Sequence, residues 1–294
     1  MRVTNKYNLP LPVVLALDKD TYTRGESNRS VTQLIDSPRI SILRKEFDDR
    51  RSEDVSNKLW SVLGTAVHKM FEDTVAEDYL SEERLYTEHS GWTISGQVDL
   101  QLIEPSGVTL IDYKCTSVWS VIFDKKEWHN QLNAYAWLVR RDKGLPIKGL
   151  QICAVLRDWK QRDAEMKDDY PAAPIVMIDL PVWSDEKQDE YMDSRIKLHS
   201  EAEYARLTGD SIPLCSQQER WAKESTYAVK KAGRKSAVRV FSSEAEALAF
   251  IGGVKKDQLK HSVEFRPGES TRCKQDWCGV AEFCEQYQGE LCQS

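Results

Sequence analysis

Apolar positions recur along this chain with two different periods, and the switches between them mark out its elements. From Lys58 to Tyr79 (KLWSVLGTAVHKMFEDTVAEDY) the residues Val62, Ala66, Val67, Met70 and Phe71 fall at helical spacing, which predicts an amphipathic helix. Trp92 to Ile103 (WTISGQVDLQLI) and Val108 to Tyr113 (VTLIDY) are β-branched and aromatic runs separated by Glu104-Pro105-Ser106-Gly107, the composition of antiparallel strands joined by a turn. Trp128 to Arg140 (WHNQLNAYAWLVR) returns to the helical period. Gly149 to Arg157 and Ala173 to Leu180 read as further strands of the same sheet, separated by the polar segment Asp158 to Tyr170. Ser184 to Leu207 is a long charged helix, with acids at its start and Lys197 and Arg206 later, the order a helix dipole favours. Near the start, Thr32 to Phe47 predicts a helix that ends or bends at Ser37-Pro38, and the charged stretch Asp48 to Asp54 predicts an exposed loop.

Chemistry-bearing residues fall at defined places in these elements. Residues two apart on a strand point to one face, so Asp112 and Lys114 project together, and a suitable hairpin register brings Asp99 beside them. Two carboxylates offer hard oxygen ligands to Mg²⁺ or Mn²⁺, which would polarise a phosphodiester and activate a water, while Lys114 orients that water or stabilises charge on the phosphate. His68 and Glu72 share one helical face, as do Gln131 and Tyr135. Each has a plain alternative: a surface hairpin with scattered charge, a polar helical His, a solvated Gln beside a half-buried Tyr. The specific signal is their order, G-x-x-x-H, G-x-x-D, D-x-K and Q-x-x-x-Y.

On GTAVH (64–68), GQVD (96–99), DYK (112–114) and QLNAY (131–135), the chain resembles the RecB-type branch of the PD-(D/E)xK nuclease superfamily, which includes CRISPR-associated adaptation nucleases and phage exonuclease-like proteins. The resemblance implies an α/β, restriction-endonuclease-like core with a central mixed β-sheet flanked by helices. It implies a metal held by His68, Asp99, Asp112 and the Tyr113 carbonyl, with Asp99, Asp112 and Lys114 catalytic and Gln131 and Tyr135 positioning DNA and Lys114. Arg39 is a further candidate to face a phosphate, with an exposed helical Arg as the plainer reading. The activity implied is a metal-dependent DNA nuclease, an exonuclease on single strands or duplex ends serving recombination, replication or repair, with a recombinase or helicase as partner.

Cysteine usage adds a separate signal. The seven cysteines are odd in number and unevenly placed, unlike a secreted disulfide scaffold, and the apolar stretch Leu9 to Leu17 is short and broken by Pro10 and Pro12, unlike a secretory signal. A reducing, cytoplasmic compartment of a bacterial or phage-infected cell is expected. There, Cys273, Cys278, Cys284 and Cys292 crowding the C-terminal end suggest thiolate ligation of an iron–sulfur cluster or Zn²⁺. RecB-type members with one upstream and three C-terminal cysteines imply the set Cys215, Cys273, Cys278 and Cys284. Here the upstream cysteine follows the nuclease motifs instead of preceding them, and the spacing is C-x4-C-x5-C instead of C-x2-C-x5-C. Trp277, Val280 and Phe283 would shield the group from water, and Cys115 and Cys153 read as inert core thiols.

A chain of 294 residues fits a nuclease core over residues 1–207 and a small cysteine-rich module over 208–294. No apolar run is long enough to cross a bilayer. Within the module, Tyr227 to Phe241 (YAVKKAGRKSAVRVF) carries Lys230, Lys231, Arg234, Lys235 and Arg239 without an acid, in a chain of net charge −6. It predicts a basic hairpin, either solvated or contacting phosphate. Two other function classes stay open: a noncatalytic nucleic-acid-binding or assembly factor with a vestigial pocket, and an RNA-processing enzyme.

Overall fold

The computed structural model describes residues 1–19, 25–74, 76–123, 125–254 and 258–292. These fall into two compact units, one of Met1–Ile42 and Asp48–Pro213, the other of Leu43–Phe47 and Leu214–Ser294.

A six-stranded mixed sheet organises the first unit. Its strands are β1 (Arg29–Ser30), β2 (Tyr79–His89), β3 (Trp92–Glu104), β4 (Gly107–Thr116), β5 (Ile147–Leu156) and β6 (Ile175–Leu180). β3 pairs antiparallel with β2 along one side and shares its other side between β1, parallel, and β4, antiparallel. β4 and β5 then run parallel, and β6 closes the order antiparallel to β5. Every residue of β4 from Gly107 to Tyr113 is buried, as befits a central strand covered on both faces, whereas β5 alternates half-buried and buried positions over Leu150–Leu156.

Three helices flank the sheet. α1 (Leu59–Glu72) has no fully buried residue and leans on β4 through Phe71, whose ring centroid is 4.7 Å from that of Tyr113. α2 (Lys126–Lys143) buries Leu132 and the unbroken run Asn133–Val139, and stops at Gly144, whose φ of 66° supplies the left-handed cap. α3 (Asp185–Thr208) starts at Ser184, whose hydroxyl accepts the Lys187 N–H, and ends at Gly209 in the same left-handed conformation. The expected break at Ser37-Pro38 is present: a short helix over Val31–Ile35, opened by a Ser30–Gln33 capping box, gives way to a second over Pro38–Glu46. Among the described residues no helix is long and apolar enough to cross a membrane.

Three readings of the sequence are corrected. The helix expected to reach Tyr79 ends at Glu72, and Tyr79 instead opens β2, a strand whose acid-rich sequence hid its pairing with β3. Part of the stretch expected as a loop, Ser52–Asp54, pairs parallel with Arg2–Thr4, and the Asp54 carboxylate accepts the N–H groups of Lys6 and Ser56. Arg39 is neither exposed nor open to a phosphate: it is buried and donates from Nη1 to the Ile212 carbonyl at 2.8 Å.

The second unit contains a three-stranded antiparallel sheet, β7 (Thr226–Lys231), β8 (Arg239–Phe241) and β9 (His261–Arg266), in the order β8-β7-β9, with a helix over Glu244–Gly252. The basic segment is thus a hairpin, β7 to β8, with Arg234 and Lys235 exposed in its turn. Phe47 and Phe283 stack within this unit, ring centroids 4.5 Å apart.

Candidate active site

Three adjacent strands carry one carboxylate each to the same place. β2 and β3 pair Ser81 with Leu100 and Glu83 with Val98, and β3 and β4 pair Leu100 with Ile111. Continuing these registers by one residue sets Glu82, Asp99 and Asp112 side by side across β2, β3 and β4. Asp99 and Asp112 are buried, and the Tyr113 N–H donates to Asp99 Oδ2 at 2.7 Å. From α1, His68 reaches over the row: Nδ1 lies 3.5 Å from Asp99 Oδ1 and 3.6 Å from Glu82 Oε1, while Nε2 is 3.1 Å from the Tyr113 carbonyl oxygen. Among the described residues, His68, Glu82 and Asp99 form the group of three metal-capable side chains whose ligand atoms all lie within 4.8 Å of one another.

Asp112 and Lys114 project together, as two-residue spacing on a strand requires. Lys114 Nζ is 2.5 Å from Asp112 Oδ2 and 3.0 Å from Gln131 Oε1, and Gln131 Nε2 donates to Asp112 Oδ1 at 3.0 Å. Gln131 therefore ties acid and ammonium into a closed triangle from α2. Asp112 engages Lys114 and Gln131 and lies beside the His68–Glu82–Asp99 group on the neighbouring strand.

Tyr135, one turn along α2, is buried against β3. It explains the glycine of GQVD: a Cβ on Gly96 would come within 2.7 Å of Tyr135 Cε1 and 2.8 Å of Leu138 Cδ2. A bare backbone there lets α2 approach and carry Gln131 to the acids. All these groups line one open cleft of about 610 Å³, with Ser61, Gly64, Thr65 and Glu72 of α1 along one wall.

Charged groups crowd the floor of this cleft. Burial, and next the neighbouring Asp112 carboxylate, push the Asp99 carboxyl up to about 7. The hydrogen bond to Glu82, with the Asp99 charge behind it, raises the His68 imidazole. The three acids in a row and the one imidazole beside them make an oxygen-rich donor set that suits Mg²⁺ or Mn²⁺.

Glu82 is the candidate site residue that the sequence reading missed. Its backbone has φ 51°, a left-handed value rare for a non-glycine residue, and its carboxylate accepts from Gln97 Nε2 at 2.8 Å, Gln97 in turn accepting from Arg84 at 2.6 Å. Its strand, YLSEERLYTEH, has no period-two alternation of apolar and polar residues, so nothing local in the sequence marks it.

In the second unit Cys215, Cys273, Cys278 and Cys284 are buried and Cys292 is exposed. Burial, with Cys278 and then Cys284 nearby, pushes the Cys273 thiol up to about 11. Among the described residues no three thiols meet within 4.8 Å, whereas tetrahedral zinc with bonds of about 2.3 Å holds its sulfurs closer than that. Trp277 is 60% exposed, whereas Val280 is buried and Phe283 stacks on Phe47. Cys115 and Cys153 are half-buried, less enclosed than core thiols.

Among curated proteins none matches the chain. Two solved structures resemble it faintly: the crystal structure of SSO0001, 16% identical over 63% of this chain and 84% of that one with a TM-score of 0.43, and a candidate exonuclease from Eubacterium rectale, 12% identical over 68% and 73% with a TM-score of 0.29. The model of the PD-(D/E)XK nuclease superfamily matches residues 29–285, which span every strand and helix of the cleft. The chain belongs to the PD-(D/E)xK nuclease superfamily, and its mixed sheet flanked by helices is the restriction-endonuclease-like core of that group.

Proposed function

We propose that this chain is a Mg²⁺- or Mn²⁺-dependent deoxyribonuclease that hydrolyses phosphodiester bonds as an exonuclease on single strands or DNA ends. The observation that carries this reading is the convergence of Asp99, Asp112, Lys114 and His68 on one open cleft. His68, Glu82, Asp99 and Asp112, with the Tyr113 carbonyl, would hold the metal, which when bound polarises the scissile phosphate and lowers the pKa of water. Lys114, fixed by Asp112 and Gln131, keeps its ammonium at the cleft and orients the attacking water or stabilises charge on the phosphate. Gln131 positions Lys114, and Tyr135 sets the depth at which α2 seats against β3.

We place the nuclease core at 1–207 and the module at 208–294, and assign Cys215, Cys273, Cys278 and Cys284 to a structural metal group, an iron–sulfur cluster or Zn²⁺. Support comes from the burial of all four thiols in one unit. Iron, sulfide and zinc contents of the purified protein decide that assignment. Action in the cytoplasm with a recombinase or helicase, in recombination, replication or repair, completes the proposal.

End-labelled linear single-stranded DNA digested in Mn²⁺ beside a circular single strand and a matched RNA tests the mode of action. Loss of the linear DNA alone is expected. Cutting of the circle would contradict the exonuclease mode, preferential loss of RNA would move the reading to RNA processing, and loss of none would favour a binding factor.

A further inference from the structure

Two exposed aromatic surfaces lie on or just past the elements that carry the cleft's residues, one on α1 and one beyond the end of β4. Trp60 is 53% exposed, although it stands on the helix that carries Ser61, Gly64, Thr65 and His68 along the cleft wall. Trp60, Gly64 and His68 recur at intervals of four and so share one face of α1, and at 1.5 Å per residue Trp60 lies about 12 Å along the axis from His68. Between them the face is bare, since a Cβ on Gly64 would meet no atom within 4 Å. The Arg157 guanidinium sits 4.2 Å from the Trp60 ring centroid. Arg157 is the first residue past β5, and its N–H donates to the carbonyl of Thr116 at 3.0 Å. Thr116 ends β4, the strand of Asp112 and Lys114, and past that same end come Trp119 and Phe123, 60% and 64% exposed, with rings 6.0 Å apart and 17° from parallel.

We propose that these rings are a stacking platform for unpaired nucleobases, Trp60 with Arg157 forming its principal seat, so that the cleft selects a single strand over a duplex. This rests on the nuclease reading above and supplies a physical reason for its single-strand preference. Aromatic faces stack on free base faces, whereas in a duplex those faces are covered by neighbouring pairs. Arg157 lies over one face of the Trp60 ring, so a base would stack on the opposite face while the guanidinium holds the ring and offers a cation to a backbone phosphate. The separation of about 12 Å from His68 spans about three to four stacked steps of 3.4 Å, so a strand whose reacting phosphate lies over the acids extends naturally to Trp60. The bare stretch at Gly64 leaves room for that strand to run close to the helix.

Fluorescence anisotropy in the Lys114→Ala background, which spares the nucleic acid, tests this by comparing a labelled oligothymidylate with a labelled abasic sugar-phosphate chain of the same length. The oligothymidylate is expected to bind about tenfold more tightly, within the range for a base stacked on an aromatic ring. Adding Trp60→Ala should remove most of that preference while leaving the abasic chain's affinity in place, and Trp60→Phe should restore it. Equal affinity for the two chains, or a loss in Trp60→Ala that falls equally on both, would overturn the platform and leave the nuclease reading standing. Binding of neither chain would overturn both.

Discussion

Alanine at the two motif glycines should change stability in opposite directions. A Cβ on Gly96 would lie 2.7 Å from Tyr135 Cε1 and 2.8 Å from Leu138 Cδ2, far inside ordinary carbon contact of about 3.5–4.0 Å. Neither neighbour has space to retreat, because Tyr135 is 6% exposed and Leu138 is fully enclosed within α2. Overpacking of this kind costs about 1–3 kcal/mol, and at about 2–4 °C per kcal/mol for a unit of this size Gly96→Ala should lower the melting temperature by roughly 2–12 °C. Gly64 presents the reverse case. It lies inside α1 with nothing within 4 Å of its missing Cβ, so Gly64→Ala should stabilise by about 0.5–1 kcal/mol through helix propensity. Thermal unfolding of the two variants beside wild type reads both signs in one experiment. A Gly96→Ala protein as stable as wild type would refute the argument that Gly96 exists to admit α2, and with it the account of how Gln131 reaches Asp112.

Other consequences follow from particular contacts. Glu82→Gln should weaken Mn²⁺ binding by roughly tenfold in titration calorimetry, because it removes one of the three carboxylates in the row; unchanged affinity would remove Glu82 from the ligand set. His199 is buried with Nε2–H directed at the carbonyls of Leu34 and Asp36, and burial followed by the Arg195 charge lowers its pKa to about 4. Its folded value lies below the unfolded 6.5, so folding favours the neutral ring and the stability present above pH 6.5 is lost as pH falls towards 4. That window is worth about 3 kcal/mol, and urea midpoints of wild type should fall more steeply across it than those of His199→Gln; parallel slopes would show that the ring does not govern acid sensitivity. Cys273→Ala should mainly impair folding or solubility, since a bound metal contributes folding free energy. A normally stable Cys273→Ala protein that has lost its metal would contradict that expectation.

The parts of this site that were legible in the sequence are those set by local geometry. Asp112 and Lys114 share a face because a strand alternates, and Gln131 and Tyr135 share one because a helix repeats; the bonds that join Gln131 to Lys114 and Asp112 needed the packing of α2 on the sheet. The helix expected over Ser184–Leu207 was equally plain, and the structure has it over Asp185–Thr208. What escaped depends on partners distant in sequence. β2 carries Glu82, Glu83 and Glu88 among polar neighbours and so resembles solvated chain until β3 is set beside it, whereupon one acid faces the cleft and Glu83 accepts from Gln101 and Lys143. Arg39 carries no mark in the sequence of the Ile212 carbonyl that claims it, and Trp277 none of its exposure. Gly96 lies between: it was recognised as part of a motif, and the reason for it became visible only with Tyr135 and Leu138 in place.

In the proposed function the acids of β2, β3 and β4 act with Lys114 to hydrolyse DNA. Its most direct test is product formation from a labelled single-stranded oligonucleotide with and without Mn²⁺, for wild type, Asp112→Asn and Lys114→Ala, with binding of the same oligonucleotide measured in parallel. The account predicts Mn²⁺-dependent cleavage by wild type and losses on the order of a hundredfold or more in both variants while binding persists. Undiminished cleavage by Lys114→Ala, or cleavage by wild type without any divalent ion, would contradict it.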